Sequence, residues 1–188
     1  MKAVFAATAL LLTAALPAHA DVILPQPPAP GLPDGDRSEI FVGVYAHDID
    51  TPLNLRGYGE GLDIQVGWRG GRLRGLSAIG APSPHVFAAA NTAGDVHYAA
   101  AGISWKVGRQ VYVRPGIGLA VHSAPSFERN PARSLGSRIV FEPELAVGMQ
   151  LSNRISVEAS LVHLSHATLF DAHNPGMDNA GLRLNYRF

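Results

Sequence analysis

LDIQVGWR, residues 62–69, alternates without a break: Leu62, Ile64, Val66 and Trp68 on one parity, Asp63, Gln65, Gly67 and Arg69 on the other. Period-two alternation is the pattern of a strand with one apolar and one polar face. The same pattern recurs along the chain. Val111, Val113, Ile117, Leu119 and Val121 stand against Tyr112, Arg114, Gly116, Gly118 and His122, and Ile139, Phe141, Leu145, Val147 and Met149 against Glu142, Glu144, Gly148 and Gln150. The C-terminal segment ends the same way, with Leu182, Leu184, Tyr186 and Phe188 against Gly181, Arg183, Asn185 and Arg187. Clusters of Gly, Pro, Asn and Asp punctuate these segments as turns. Eight strands are predicted, over 38–48, 59–69, 76–91, 95–107, 110–122, 137–151, 154–165 and 178–188, with Pro82 and Pro84 interrupting the third.

The polar face also carries the glycines Gly43, Gly67, Gly102, Gly116, Gly118, Gly148 and Gly181. An eight-stranded barrel has little interior room and requires small residues there. Glu142, Glu144 and Glu158 could pair inside with Arg114, Arg183 and Arg187, whereas a basic residue facing hydrocarbon costs on the order of 2–4 kcal/mol at mid-depth. The expected fold is therefore all-β, an eight-stranded antiparallel transmembrane β-barrel with its apolar face toward lipid. A soluble lipocalin-like barrel would turn the same face inward. Trp68, Trp105, Tyr186 and Phe188, near strand ends on the outer face, suit an interfacial aromatic girdle instead.

Composition agrees. Charged residues are only 16 % of the chain, against roughly 25 % in soluble domains. The 15 basic and 15 acidic residues balance, so nothing marks a nucleic-acid surface. With no cysteine, neither a disulfide framework nor a thiolate metal site can form. Residues 1–20 read as a signal peptide: Lys2, an apolar run from Ala3 to Leu16, and a cleavage site at Ala18-His19-Ala20. Residues 21–37 are a Pro-rich periplasmic lead-in and 38–188 the barrel, with its candidate site in the last hairpin. The expected location is the bacterial outer membrane, crossed several times after signal-peptide cleavage.

Chemistry concentrates at the end of the seventh strand. Ile155, Val157, Ala159, Leu161, His163 and Ser165 share one parity, so His163 and Ser165 continue the lipid-facing row. Polar groups in that row are costly in a merely structural barrel. At i and i+2 they lie about 6.5–7 Å apart at Cα and point to one side. Asp178 shares the parity of Leu182 and opens the eighth strand on the same face. A carboxylate there could fix the imidazole tautomer, leaving the other ring nitrogen to take the Ser165 proton.

These residues resemble the outer-membrane lipid A 3-O-deacylase (PagL) family. Its signature is a His-x-Ser on the penultimate strand, an Asn-containing loop and an acidic residue opening the last strand. Here it reads His163-Leu164-Ser165-His166-Ala167-Thr168-Leu169, then Asn174-Pro175-Gly176-Met177-Asp178. The resemblance implies Ser165 as nucleophile, His163 as general base and Asp178 as orienting acid, where the family often carries the longer Glu. It further implies an oxyanion hole from the Asn174 side chain and a backbone N–H near Thr168. The implied substrate is lipid A of lipopolysaccharide in the surrounding outer-membrane lipid, with no cofactor. Whether two copies pair as a homodimer is left open.

Other readings are weaker. His163, His166 and His173 lack metal-ligand spacing. Glu142, Glu144, Glu158 and Arg183 read as paired barrel filling, and Gly57-Tyr58-Gly59-Glu60-Gly61 as a turn with no helix after it. The competing functions are a non-enzymatic structural barrel and an outer-membrane phospholipase.

Overall fold

The structure is a computed structural model that describes residues 36–52, 54, 59–126, 129–130, 134–167 and 176–188. Residues 1–35, which hold the expected signal peptide and nearly all of the expected Pro-rich lead-in, and Thr168, His173 and Asn174 lie outside the described residues.

Eight antiparallel strands close into a barrel. They are β1 (Glu39–Ala46), β2 (Leu62–Arg69), β3 (Ser83–Asn91), β4 (Tyr98–Ser104), β5 (Val111–His122), β6 (Ile139–Gln150), β7 (Ile155–Leu164) and β8 (Met177–Arg187). Neighbours in sequence are neighbours in space. The seam is closed by β1 against β8, where Glu39 faces Arg187 and Ala46 faces Ala180, and β4 pairs with β5 from Tyr98↔His122 to Ser104↔Gly116. A two-residue continuation of β4, Val107–Gly108, keeps that register, with Val107 opposite Val113. The interruption falls opposite Pro115. Trp105 donates its backbone N–H to the Pro115 carbonyl at 2.9 Å, and proline has no N–H to return.

Apart from the start of β8, where Met177, Asp178 and Asn179 are all buried, exposure alternates along the strands in the sense opposite to a soluble barrel. Val66 and Leu182 are 54 % and 69 % exposed, while Arg183 and Glu158 on the opposite parity are 1 % exposed. The soluble lipocalin-like alternative is thereby excluded, since it would bury the apolar row. The lumen is filled by a charge network. Arg183 grips Glu144 through both terminal nitrogens at 2.6 and 3.1 Å, reaches Glu158 at 3.4 Å, and donates from Nε to Gln65 at 3.1 Å. Arg114 Nε donates to Glu158 at 2.8 Å and its Nη2 lies 3.0 Å from Glu39, which also pairs with Arg69. Arg187, expected to join the lumenal carboxylates, lies 4.0 Å from Glu39.

Rings and glycines complete the filling. A Cβ on Gly148 would lie 2.3 Å from the Tyr112 ring, and one on Gly67 would lie 2.4 Å from Phe41. At these two positions only a missing side chain lets the ring lie against the wall. Such a plug leaves side-chain packing rather than an open channel.

The third strand begins later than the predicted 76. Residues Arg74–Ile79 instead form a short 3-10 turn. Pro82 and Pro84 accept bonds from Leu73 at 2.8 Å and Gly70 at 2.9 Å but cannot donate, so the ladder cannot extend toward the turn.

Candidate active site

The β7–β8 ladder runs in one register from Ile155↔Tyr186 to Leu164↔Met177, which sets His163 directly opposite Asp178. A second pairing decides how close they come. Beyond the end of β7, Phe141 and Ser165 exchange both backbone bonds, at 2.7 and 3.2 Å. Ser165, and therefore His163 two residues before it, thus turns its backbone groups toward β6 rather than β8. The His163–Asp178 pair is then of the non-hydrogen-bonded type, in which Cα atoms approach to about 4.5 Å and side chains are nearest. A short carboxylate suits that spacing.

His163 Nδ1 lies 2.6 Å from Asp178 Oδ1. Asp178 is wholly buried, whereas the His163 side chain keeps 15 % of its surface exposed. A carboxylate beside Nδ1 selects the tautomer with the proton there, so Nε2 presents its lone pair. Gly176 adjoins the imidazole, with φ of 74° and a would-be Cβ 3.0 Å from His163 Cε1. A residue bearing a side chain would crowd the ring edge and strain the backbone.

The buried carboxylate is held by a segment far away in sequence. The Thr51 hydroxyl, 127 positions distant, donates to Asp178 Oδ2, and the Ile49 N–H donates to the Asp178 carbonyl at 2.8 Å. That segment is itself braced. Asp48 donates its N–H to Asn179 Oδ1 at 2.8 Å and accepts from Asn54 Nδ2 at 2.8 Å, while Thr51 and Asn54 exchange backbone bonds at 2.8 and 3.1 Å. The loop between β1 and β2 therefore clamps Asp178 from the side away from His163.

The structure thus brings His163, Ser165 and Asp178 onto one outer corner of the barrel, as their parities require. Ser165 is partly exposed on the same row as His163. His166 is fully buried on the opposite, inward parity and does not join them. Asn174 and Thr168, the expected oxyanion donors, lie outside the described residues. Thr51 and Ile49 escaped the sequence reading. A threonine in a polar loop carries no signal that it will meet a carboxylate on the last strand; only closure of β1 on β8 creates that contact.

Chemically, an acid–imidazole pair with a neighbouring hydroxyl can activate a nucleophile. Its position on the outer wall exposes it to lipid rather than to the lumen.

Comparison with known proteins extends this picture. The family profile described as lipid A 3-O-deacylase (PagL) matches residues 56–187. Among solved structures, the outer membrane enzyme PagL aligns at 17 % identity with a TM-score of 0.53, covering 81 % of this chain and 99 % of that one. Neisserial surface protein A (NspA) aligns at 10 % identity with a TM-score of 0.50, covering 81 % of this chain and 95 % of that one. At these identities the structural likenesses speak for the barrel alone. No match was found among curated protein sequences. The family match takes in β2 to β8 together with the whole hairpin that bears His163, Ser165 and Asp178; the chain belongs to the lipid A 3-O-deacylase (PagL) family.

Proposed function

We propose that this protein is an outer-membrane serine esterase that removes the 3-O-linked acyl chain from lipid A of lipopolysaccharide. The observation that carries the reading is the 2.6 Å contact between His163 Nδ1 and the buried Asp178 carboxylate on the lipid-facing wall. Family membership supports the deacylase assignment.

In this reading Ser165 Oγ attacks the ester carbonyl while His163 Nε2 takes its proton. The tetrahedral intermediate collapses, the protonated imidazole returns the proton to the departing glucosamine oxygen, and an acyl-enzyme remains on Ser165. Water, deprotonated by His163, then attacks this ester, releasing free 3-hydroxy fatty acid and restoring the serine. Asp178 stays ionised throughout and stabilises the imidazolium. The Asn174 amide and the Thr168 N–H are the proposed donors to the oxyanion. No cofactor enters this chemistry.

A cleaved leader ending at Ala20 would deliver the chain to the outer membrane, with both barrel termini in the periplasm. The catalytic hairpin then reaches the outer leaflet, where lipopolysaccharide resides. Two measurements test the proposal. The mature protein should have the mass of a chain beginning at Asp21. Purified lipopolysaccharide incubated with the folded barrel should yield lipid A lighter by one 3-hydroxyacyl group, with fragmentation assigning the loss to the 3 position. Ser165→Ala and His163→Asn should abolish the loss. Equal deacylation by wild type and both variants would refute the triad, and phospholipid supplied in the same assay shows whether the enzyme is a phospholipase instead.

A further inference from the structure

At the barrel end away from His163, the connections at residues 109–110 and 151–154 are short, but residues 70–82 between β2 and β3 are not. Short turns are the rule at one end of outer-membrane barrels, so the longer one needs a reason. None of the residues in its 3-10 turn is buried. Leu73, Leu76 and Ile79 are 38, 42 and 53 % exposed. They are spaced three apart, the repeat that brings side chains to one side of a 3-10 helix, although the backbone kinks at Leu76.

The turn leans outward, over the lipid side of the wall. Trp105 continues the outer row of Ala99, Ala101 and Ile103, and its indole Nε1–H donates to the Ile79 carbonyl at 2.7 Å. Gly80 closes the turn against that ring, where a Cβ would come within 3.3 Å of the indole. The apolar residues are thereby continuous with the lipid-facing belt at the level of Trp68 and Trp105. Between Gly70 and Pro82 there is no acidic residue, while Arg72 and Arg74 are both exposed. Arg74 also pairs with Asp36. Apolar side chains rimmed by arginine beside interfacial tryptophans complement a phospholipid headgroup layer.

We propose that residues 72–80 form a foot seated in the headgroup region of the phospholipid leaflet opposite the catalytic hairpin, with Leu73, Leu76 and Ile79 inserted at the acyl boundary. Such segments insert their apolar face about 5–10 Å. The foot sets the height of the barrel and hence the depth at which the opposite rim meets its leaflet.

The chain contains no cysteine, so a single Leu76→Cys can carry an environment-sensitive fluorophore in the full barrel folded into vesicles of phosphatidylethanolamine and phosphatidylglycerol. Asn153→Cys, in the short turn between β6 and β7 at the same end of the barrel, is the control. The Leu76 label should emit to the blue of the control and lose most of its emission to lipids carrying a nitroxide just below the headgroup. The Asn153 label should remain water-like. An Ile79→Cys label gives the same readout should Leu76→Cys fold poorly. A foot label as water-exposed as the control overturns the proposal. So does shielding that ignores lipid nitroxides and grows with protein-to-lipid ratio, which would mark contact with another protein copy.

Discussion

Among the described residues of the site, Asp178 carries the most constraint. Its carboxylate lies between His163 Nδ1 and the Thr51 hydroxyl, and its carbonyl accepts from Ile49. Narrow pairing with His163 and a clamp on the far side leave little room for a longer acid. Asp178→Glu is therefore expected to slow turnover by about tenfold or more, about 1.4 kcal/mol, although the family often carries Glu. Retention of wild-type kcat would show that the clamp yields. Asp178→Asn should cost on the order of 10⁴-fold, since an amide favours the wrong imidazole tautomer. Thr51→Val removes the donor to Oδ2 while keeping its shape. It should lower kcat by about tenfold with KM unchanged, close to the lower limit for loss of a hydrogen bond to a charged group, and Thr51→Ser should restore it. A change in KM alone would assign Thr51 to substrate binding instead of positioning.

At the scale of elements, the geometry of the last hairpin depends on the agreement of two registers. The β7–β8 ladder aligns His163 with Asp178, and the Phe141–Ser165 bridge turns the backbone of His163 away from β8. Gly176 then enters β8 with positive φ beside the imidazole. Gly176→Ala should reduce activity severalfold through the displaced ring while leaving the barrel's thermal unfolding within a few degrees of wild type, because the strain is confined to one loop residue. Equal activity would mean that the ring edge tolerates a methyl group. The break in β4 offers a separate test remote from the chemistry. Pro115→Val supplies the missing N–H toward Trp105 and should stabilise the barrel by about 0.5–1.5 kcal/mol, read as a higher denaturant midpoint with activity unchanged.

For the whole molecule, the charge network of the lumen and the proposed catalytic triad occupy different faces of the same wall. The lumen holds Arg69, Arg114 and Arg183 against Glu39, Glu144 and Glu158, all buried. Removing one member leaves uncompensated charge, whereas replacing a complete pair can be neutral. Arg183→Met should thus destabilise the folded barrel by about 3–5 kcal/mol, measured by denaturant unfolding in lipid, with activity per folded molecule retained. Loss of activity without loss of stability would couple the lumen to the outer site.

The number of strands, the face turned to lipid and the row shared by His163 and Ser165 could all be read from the chain, because in a strand the direction of a side chain depends only on residue parity. That local rule also placed Asp178 on the same face, and separated His166 from it. It failed where proline chemistry intervened, at 76–82 and opposite Pro115, since the missing N–H acts on a ladder whose partner the sequence does not name. Distance lay beyond parity altogether. The close approach of His163 to Asp178 depends on which neighbour each backbone bonds, and the Thr51 clamp depends on β1 closing against β8. The first is set by pairing among the adjacent strands β6, β7 and β8; the second is a product of ring closure, which brings together residues separated by nearly the whole barrel.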